Sequence, residues 1–502
     1  MTGRTSSSPS PPLGGRRGSS HGWEPVIGLE IHVQLATRTK MFCGCELSFG
    51  DPPNTHTCPI CLAHPGALPV TNVDAVRLGI LAGLALGCEV PPTSEFHRKN
   101  YFYPDLSKAY QVSQYDAPLC VAGRVPVLLP DGRELEVGIT RAHLEEDAAK
   151  LVHVSAGGRR AGAEASGVDF NRGGTPLLEI VTEPDLRSAA DAGAFLRQLR
   201  QTLRRLEVSD GNMEEGSLRA DANVSVRPAG SEGLGTKTEL KNMNSFRFLE
   251  RGIEAEIARQ TALLEAGERV VQETLHFDPD SGEIHSLRSK EEAHDYRYFP
   301  EPDLVPMAPD PAWVDELRAA LPELPVDRRR RWADELGLTY EDAEVLSETA
   351  ELGDYFEAVA ARADPKAAAN WIRGELRAQL REAGQEPWES RVTPELLAEL
   401  VALRDDRTLS EPAAKEVLAE VVRSGASPRA VVEERGLGQI SDDGELVALV
   451  ERLLAENPDQ AAQLRGGKDK LVGYFVGQAM KATGGRADPA RVGELVREAA
   501  GS

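Results

Sequence analysis

Along an extended strand successive side chains point to opposite faces, and from Pro25 to Leu35 that rule sorts the chain into two sets. Ile27, Leu29, Ile31, Val33 and Leu35 share one side, while Gly28, Glu30, His32 and Gln34 share the other. The segment therefore reads as a strand with one buried, purely aliphatic face. Its polar face sets a carboxylate beside an imidazole, where an ordinary solvent-facing strand carries Lys, Thr and Ser. Read alone, a half-buried strand whose polar side meets water accounts for it equally well.

Repetition of the pattern changes that balance. Gly138 to Glu146 and Thr175 to Glu183 each carry carboxylates in a strand-like run. From Arg219 to Arg227, polar Arg219, Asp221, Asn223, Ser225 and Arg227 alternate with Ala220, Ala222, Val224 and Val226. Thr236 to Asn242 then places Lys237, Glu239 and Lys241 on one side. An antiparallel sheet can bury one face on helices and leave the other open. The open face would collect Glu30, His32, Glu146, Glu179, Asp221 and Glu239. Clustered carboxylates raise one another's pKa unless a cation sits among them, and oxygen-rich donor sets favour Mg²⁺ in company with substrate phosphates. The residues thus point to a magnesium and nucleotide site on the open face of a sheet.

Four of the six cysteines fall between Met41 and Pro65, as Cys43-x-Cys45 and Cys58-Pro-Ile-Cys61. Each pair supplies two thiolates from one tight turn, as a tetrahedral ion requires. A structural Zn²⁺ fits a reducing compartment better than disulfides do, with His56 and His64 as alternative ligands. Four thiolates close the shell, so this ion holds a loop and leaves no position for a substrate. Cys88 and Cys120 stand alone and read as core fillers.

At 502 residues the chain has room for about three domains. Its 57 Lys and Arg against 80 Asp and Glu leave a net charge of −23, so any contact with nucleic acid must use local basic patches or partner subunits. Residues 1–22 are rich in Ser, Pro, Gly and Arg and read as a disordered extension without a secretory signal. No stretch approaches a membrane span, and the expected location is the cytoplasm.

Val73 to Leu86 reads as an apolar helix ending at Gly87, and Ser188 and Ser245 as N-caps of two more. Arg98-Lys-Asn-Tyr-Phe-Tyr-Pro-Asp105 interleaves basic and aromatic residues; either these are core rings before a proline turn, or Lys99 meets a phosphate beside rings that stack on a base. Gly230 to Thr238 nearly spells a phosphate loop, but a Thr separates Gly235 from Lys237, and the segment reads better as a hairpin connection. Beyond the proline-rich run Asp295 to Pro306, Ala, Leu, Glu and Arg recur at helical spacing to the end, with glycine-bearing basic loops at Arg465 to Lys470 and Lys481 to Arg486. Those loops suit phosphate contact, and equally serve as plain helix connections.

Several of these motifs, in order, resemble the B subunit of the tRNA-dependent amidotransferase. They are Val-Ile-Gly-Leu-Glu30-Ile-His32, Arg98 to Asp105, His143-Leu-Glu-Glu-Asp-Ala148, Arg172-Gly-Gly-Thr-Pro-Leu-Leu-Glu179, Met213-Glu-Glu-Gly-Ser-Leu-Arg219 and Tyr298-Phe-Pro-Glu-Pro-Asp303. The resemblance implies an α+β fold with a catalytic cradle domain over 23–300 built on a largely antiparallel sheet; some relatives lack the four cysteines, so the zinc loop at 41–65 rests on this sequence's own residues. An all-α domain over 301–405 and an all-α YqeY-like tail over 406–502 that grips tRNA would follow. It implies a three-subunit ligase, with A (glutaminase) and C subunits as partners, that uses ATP to phosphorylate the side-chain carboxylate of Glu-tRNA(Gln) or Asp-tRNA(Asn) before ammonia displaces the phosphate. By position in the motifs, Glu30, His32, Glu146 and Glu179 become the Mg²⁺ shell, Asp221 and Glu239 further site carboxylates, and Lys99 and Arg219 phosphate contacts. His32 stands as ligand or proton acceptor. Two rival readings are a non-catalytic tRNA-binding scaffold with a merely solvated acidic face, and a self-sufficient ligase that takes free ammonium.

Overall fold

The computed structural model describes residues 22–129, 131–154, 163–279, 281–288, 295–440 and 443–500. Apart from Gly22, the expected N-terminal extension lies outside them. The chain forms two compact units, one running to Leu324 and one from Pro325 onward.

In the first unit the strands are β1 (Trp23–Gln34), β2 (His97–Asn100), β3 (Tyr110–Ser113), β4 (Cys120–Leu128), β5 (Glu134–Glu146), β6 (Lys150–Val154), β7 (Ala165–Asp169), β8 (Pro176–Thr182), β9 (Leu218–Pro228), β10 (Thr238–Met243), β11 (Thr274–Phe277), β12 (Ile284–Arg288) and β13 (Phe299–Pro300). Eight of them form one sheet in the order β12-β11-β10-β9-β1-β8-β5-β4, antiparallel except for the β10–β11 pair. The opening alternation thus belongs to an interior strand, hydrogen-bonded to β8 on one side and β9 on the other. The near-phosphate-loop segment joins antiparallel β9 to β10, which is the hairpin connection its sequence indicated.

One face of this sheet is covered by α1 (Val73–Ala85), α2 (Ala189–Arg205) and α3 (Phe246–Glu265). Asn72, Ser188 and Ser245 cap them, each side chain accepting from backbone N–H groups of the first turn. Ile27, Leu29, Ile31 and Val33 are at most 1% exposed and join Ile80, Phe195, Leu199, Leu249 and Ile253 in a single core. Each such side chain contributes about 1.5–3 kcal/mol on burial, enough to fix the register, since a one-residue slip would turn all four to the polar side. Helix α1 approaches closely because its glycines allow it; a Cβ at Gly79 would lie 2.8 Å from the Leu119 side chain. A second small sheet, in the order β13-β2-β3, and the β6–β7 hairpin complete the unit.

This core extends past residue 300, where the sequence suggested a boundary: Val314 and Leu317 of the helix Pro311–Ala319 are buried in it. The proline-rich run is not a linker, because β13 pairs with β2.

Among the described residues, the named elements of the second unit are all helices. Its first core gathers Trp332, Phe356 and Leu397 with Val417, Leu418, Val421 and Val431, so the division expected at 405 cuts through a packed cluster. The polar turn after Asp405 connects two helices of one body. A separate cluster begins with Ile440 at its edge and includes Leu446, Phe475 and Val496. No helix among the described residues is long and apolar enough to cross a membrane.

Candidate active site

Register delivers the polar face. On β1, Glu30 lies opposite Asp221 of β9, and His32 lies opposite both Glu179 of β8 and Arg219 of β9. Glu179 in turn faces His143 of β5. The His32 Nε2 is 3.4 Å from Glu179 Oε2, 3.8 Å from Glu145 Oε2 and 4.0 Å from Glu30 Oε1. His143 Nε2 sits 3.5 Å from carboxylate oxygens of both Glu145 and Glu179.

The electrostatics follow from crowding. Burial, together with Glu179 and Asp221, raises the Glu30 carboxyl above its usual range, against His32 and Lys241. Burial opposes a charged His32, yet the hydrogen bond to Glu179 and the nearby Glu145 and Glu30 push its pKa up to about 9. Burial also opposes ionisation of Glu145, but His143, Lys99 and His32 hold its carboxyl well below the usual range. Part of the negative charge is balanced by the protonated His32, Lys99 and Lys241, and a bound cation would neutralise more of it.

Two donor sets share His32: Glu30, His32 and Asp221, and His32, Glu145 and Glu179. Within each, one ligand atom per residue lies within 4.8 Å of the others. A Mg²⁺ with ligands at 2.0–2.1 Å separates them by about 2.9–4.2 Å, so hard oxygens with one imidazole fit such an ion after small movements.

Glu145 takes the place the sequence gave to Glu146. Side chains alternate on β5, so His143 and Glu145 share a face, whereas Glu146 turns to the other side. There its carboxylate accepts from Lys108 Nζ at 2.7 Å and from the Val112 N–H at 3.0 Å. Glu146 lines a separate cavity with Lys40, Cys61 and Tyr110. Parity with His143 was the signal in the sequence that would have selected Glu145.

Beside the carboxylates opens a cavity of about 270 Å³, lined by His32, Lys99, Tyr101, Glu145, Asp147, Arg219, Asp221 and Lys241 among others. Arg219 donates to Asp147 at 2.9 Å, and Gln34 donates to the same oxygen at 3.0 Å. Burial disfavours the Lys99 ammonium, but Glu145 and Glu179 more than offset it and its pKa rises. Lys241, absent from the sequence expectations as a site residue, bridges Asp221 at 3.1 Å and Glu239 at 3.0 Å. Glu239 also accepts from Thr274 and stands outside both donor sets, acting on the site through Lys241.

The sulfurs of Cys43, Cys45, Cys58 and Cys61 lie within 4.8 Å of one another, with 3.9 Å between those of Cys58 and Cys61. Four thiolates at about 2.3 Å from Zn²⁺ sit about 3.8 Å apart, so the loop fits that ion. The Cys58 N–H donates to the Cys61 sulfur. Neither histidine joins the set; His56 is hydrogen-bonded to Asp51 instead. The loop is fastened toward the active face: the Met41 N–H donates to Gly174 O, and the Gly174 N–H to Asp147 O. Cys88 and Cys120 are buried in the main core.

A family described as GatB/GatE catalytic domain matches residues 25–315, and one described as GatB domain matches 354–499. The chain is 53% identical over 475 residues to the B subunit of the aspartyl/glutamyl-tRNA(Asn/Gln) amidotransferase of Geobacter sulfurreducens, covering 94% of this chain and 98% of that protein. It is 51% identical over 478 residues to the protein of the same name from Alkalilimnicola ehrlichii (95% and 99% covered), and 52% over 477 to that of Moorella thermoacetica (95% and 99%).

Proposed function

The chain belongs to the family of B subunits of the aspartyl/glutamyl-tRNA amidotransferase, and from that premise we propose that its carboxylate-lined cavity activates a tRNA-borne side-chain carboxylate at the expense of ATP. The enzyme is a multi-subunit ligase that makes Gln-tRNA or Asn-tRNA with glutamine as amide donor. A free carboxylate does not react with ammonia at neutral pH because its leaving group would be oxide. Transfer of the γ-phosphoryl group to that carboxylate provides phosphate as the leaving group instead.

Phosphoryl transfer depends on positioning and charge neutralisation. Glu30, His32 and Asp221, or His32, Glu145 and Glu179, would hold Mg²⁺, which would supply that neutralisation. We assign phosphate contact to Lys99 and Arg219, both of which line the cavity, with Asp147 and, through it, Gln34 orienting the guanidinium. Lys241 holds Asp221 and Glu239 in place. The described residues lining the cavity include no serine or cysteine, so we assign release of ammonia to a partner A subunit, with a small C subunit completing the complex. The four-cysteine loop holds structural Zn²⁺, the C-terminal helical body grips tRNA, and the complex works in the cytoplasm on Glu-tRNA(Gln), Asp-tRNA(Asn) or both.

The observation that supports this reading most is the convergence of His32, Glu145 and Glu179 from three paired strands. Glu179→Gln in the assembled complex tests it: ATP turnover stimulated by Glu-tRNA should vanish while tRNA affinity stays near normal. Amidation at the wild-type rate would refute the assignment.

A further inference from the structure

Six of the nine tyrosines in the chain lie in two short stretches, 101–115 and 296–298, and the small sheet brings those stretches together. β2 pairs with β3 on one edge and β13 on the other, and the Asn100 side chain donates to the backbone oxygens of Tyr296 and Arg297. The rings form a continuous series. Tyr101 meets Tyr296 at 6.1 Å between centroids, Tyr296 meets Tyr298 at 6.0 Å, and Tyr298 is stacked on Tyr115 at 4.4 Å with 12° between planes.

One end of the series belongs to the active cavity. Tyr101 and Lys99 line it, and Lys99 Nζ stands 5.1 Å from the Tyr296 ring. The other end is open to solvent: Tyr115 is 58% exposed, and Phe102 and Phe299, flanking the strip in the chain, are 90% and 43% exposed. Aromatic surface left in water beside a catalytic cavity is costly for a fold that gains nothing from it. Bases stack on such rings irrespective of sequence, and a cation among them holds the backbone phosphates.

We propose that this tyrosine strip is the docking platform for the unpaired 3′ end of the acylated tRNA, whose terminal adenine stacks beside the carboxylate cluster. The proposal rests on the activity assigned above. ATP offers a single base and can cover one ring, whereas a single-stranded 3′ end offers several in series, which matches a strip that starts in the cavity and runs outward. The terminal nucleotide carries the acyl group, so its base belongs at the inner end, next to Lys99.

The test uses the assembled complex and a tRNA with 2-aminopurine, a base whose fluorescence is quenched by stacking, in place of the outermost of its unpaired 3′ nucleotides, the one the strip seats at Tyr115. Wild type should quench it on binding. Tyr115→Ala should lose much of the quenching, and the preference for intact tRNA over tRNA trimmed of its unpaired 3′ nucleotides should fall about tenfold, with KM for ATP unchanged. Tyr115→Phe, which keeps the ring, should behave as wild type. Phe102→Ala, at a ring outside the core, gives a second variant that cannot be dismissed as misfolded, with the same direction of change expected. Unchanged quenching and preference in both alanine variants would overturn the proposal. So would a rise in KM for ATP with the tRNA preference intact, which would give the strip to the nucleotide. A wild-type complex without ATP-dependent amidation would overturn the underlying functional reading as well, whereas an active complex indifferent to these variants overturns the strip alone.

Discussion

His32 and Glu179 lie opposite each other on antiparallel strands, with the imidazole Nε2 3.4 Å from a carboxylate oxygen. Without a bound divalent ion, this contact and the neighbouring carboxylates hold the imidazole protonated up to about pH 9, against an ordinary value of 6.5. The folded-state pKa exceeds the unfolded one, so the stabilisation is fully present below about pH 6.5 and is lost as pH rises through 9. Chelator-treated protein should therefore show a urea midpoint that declines across that window, and His32→Gln should flatten the decline. Parallel pH profiles for the two proteins would contradict the assignment.

Neighbouring carboxylates on β5 give a sharper contrast. Glu145 faces His32 and His143, and Glu146 faces Lys108. Glu145→Gln should weaken Mn²⁺ binding, measured by electron paramagnetic resonance, by about 100-fold or more. Glu146→Gln should leave that affinity within a few-fold of wild type.

On the proposed zinc assignment, stripping the ion from the four-cysteine loop with a strong chelator, or replacing Cys58 and Cys61 with serine, should lower the melting temperature by at least about 5 °C. Turnover per folded molecule should fall less, because four thiolates leave no coordination site for substrate. A loss of turnover with an unchanged melting temperature would make this ion catalytic.

Chain truncation distinguishes a surface turn from a domain border. Ending the chain after residue 405 removes Val417, Leu418, Val421 and Val431 from the core built on Trp332 and Phe356, and the product should aggregate or expose that core to hydrophobic dyes. Ending it after Leu437 keeps those residues and removes the cluster of Leu446, Phe475 and Val496. This second truncation should remain folded and bind tRNA more weakly.

Much of the carboxylate-lined face was legible because a strand encodes its two sides in residue parity. Glu30, His32, Asp221 and Glu179 followed from local alternation, and the four cysteines from spacing. Glu145 was missed because two adjacent glutamates satisfy a motif equally and only parity separates them. Lys241 was placed on the right side of its strand but given no role, since its value lies in bridging Asp221 and Glu239 across strands. Tyr298 could not be joined to Tyr115 by any local rule; a strand pairing between chain segments about 200 residues apart brings them together. The helical cores behave likewise, for a polar turn has the same composition whether it joins two helices of one body or two bodies.

Strand β1 has a hydrogen-bonded neighbour along both edges and aliphatic packing beneath it. Its amides should be among the slowest in the molecule to exchange with deuterium, because releasing them requires opening the sheet at its centre. Glu30 and His32 thus stand on the segment of the sheet that opens last, and their spacing should outlive any loosening at its margins.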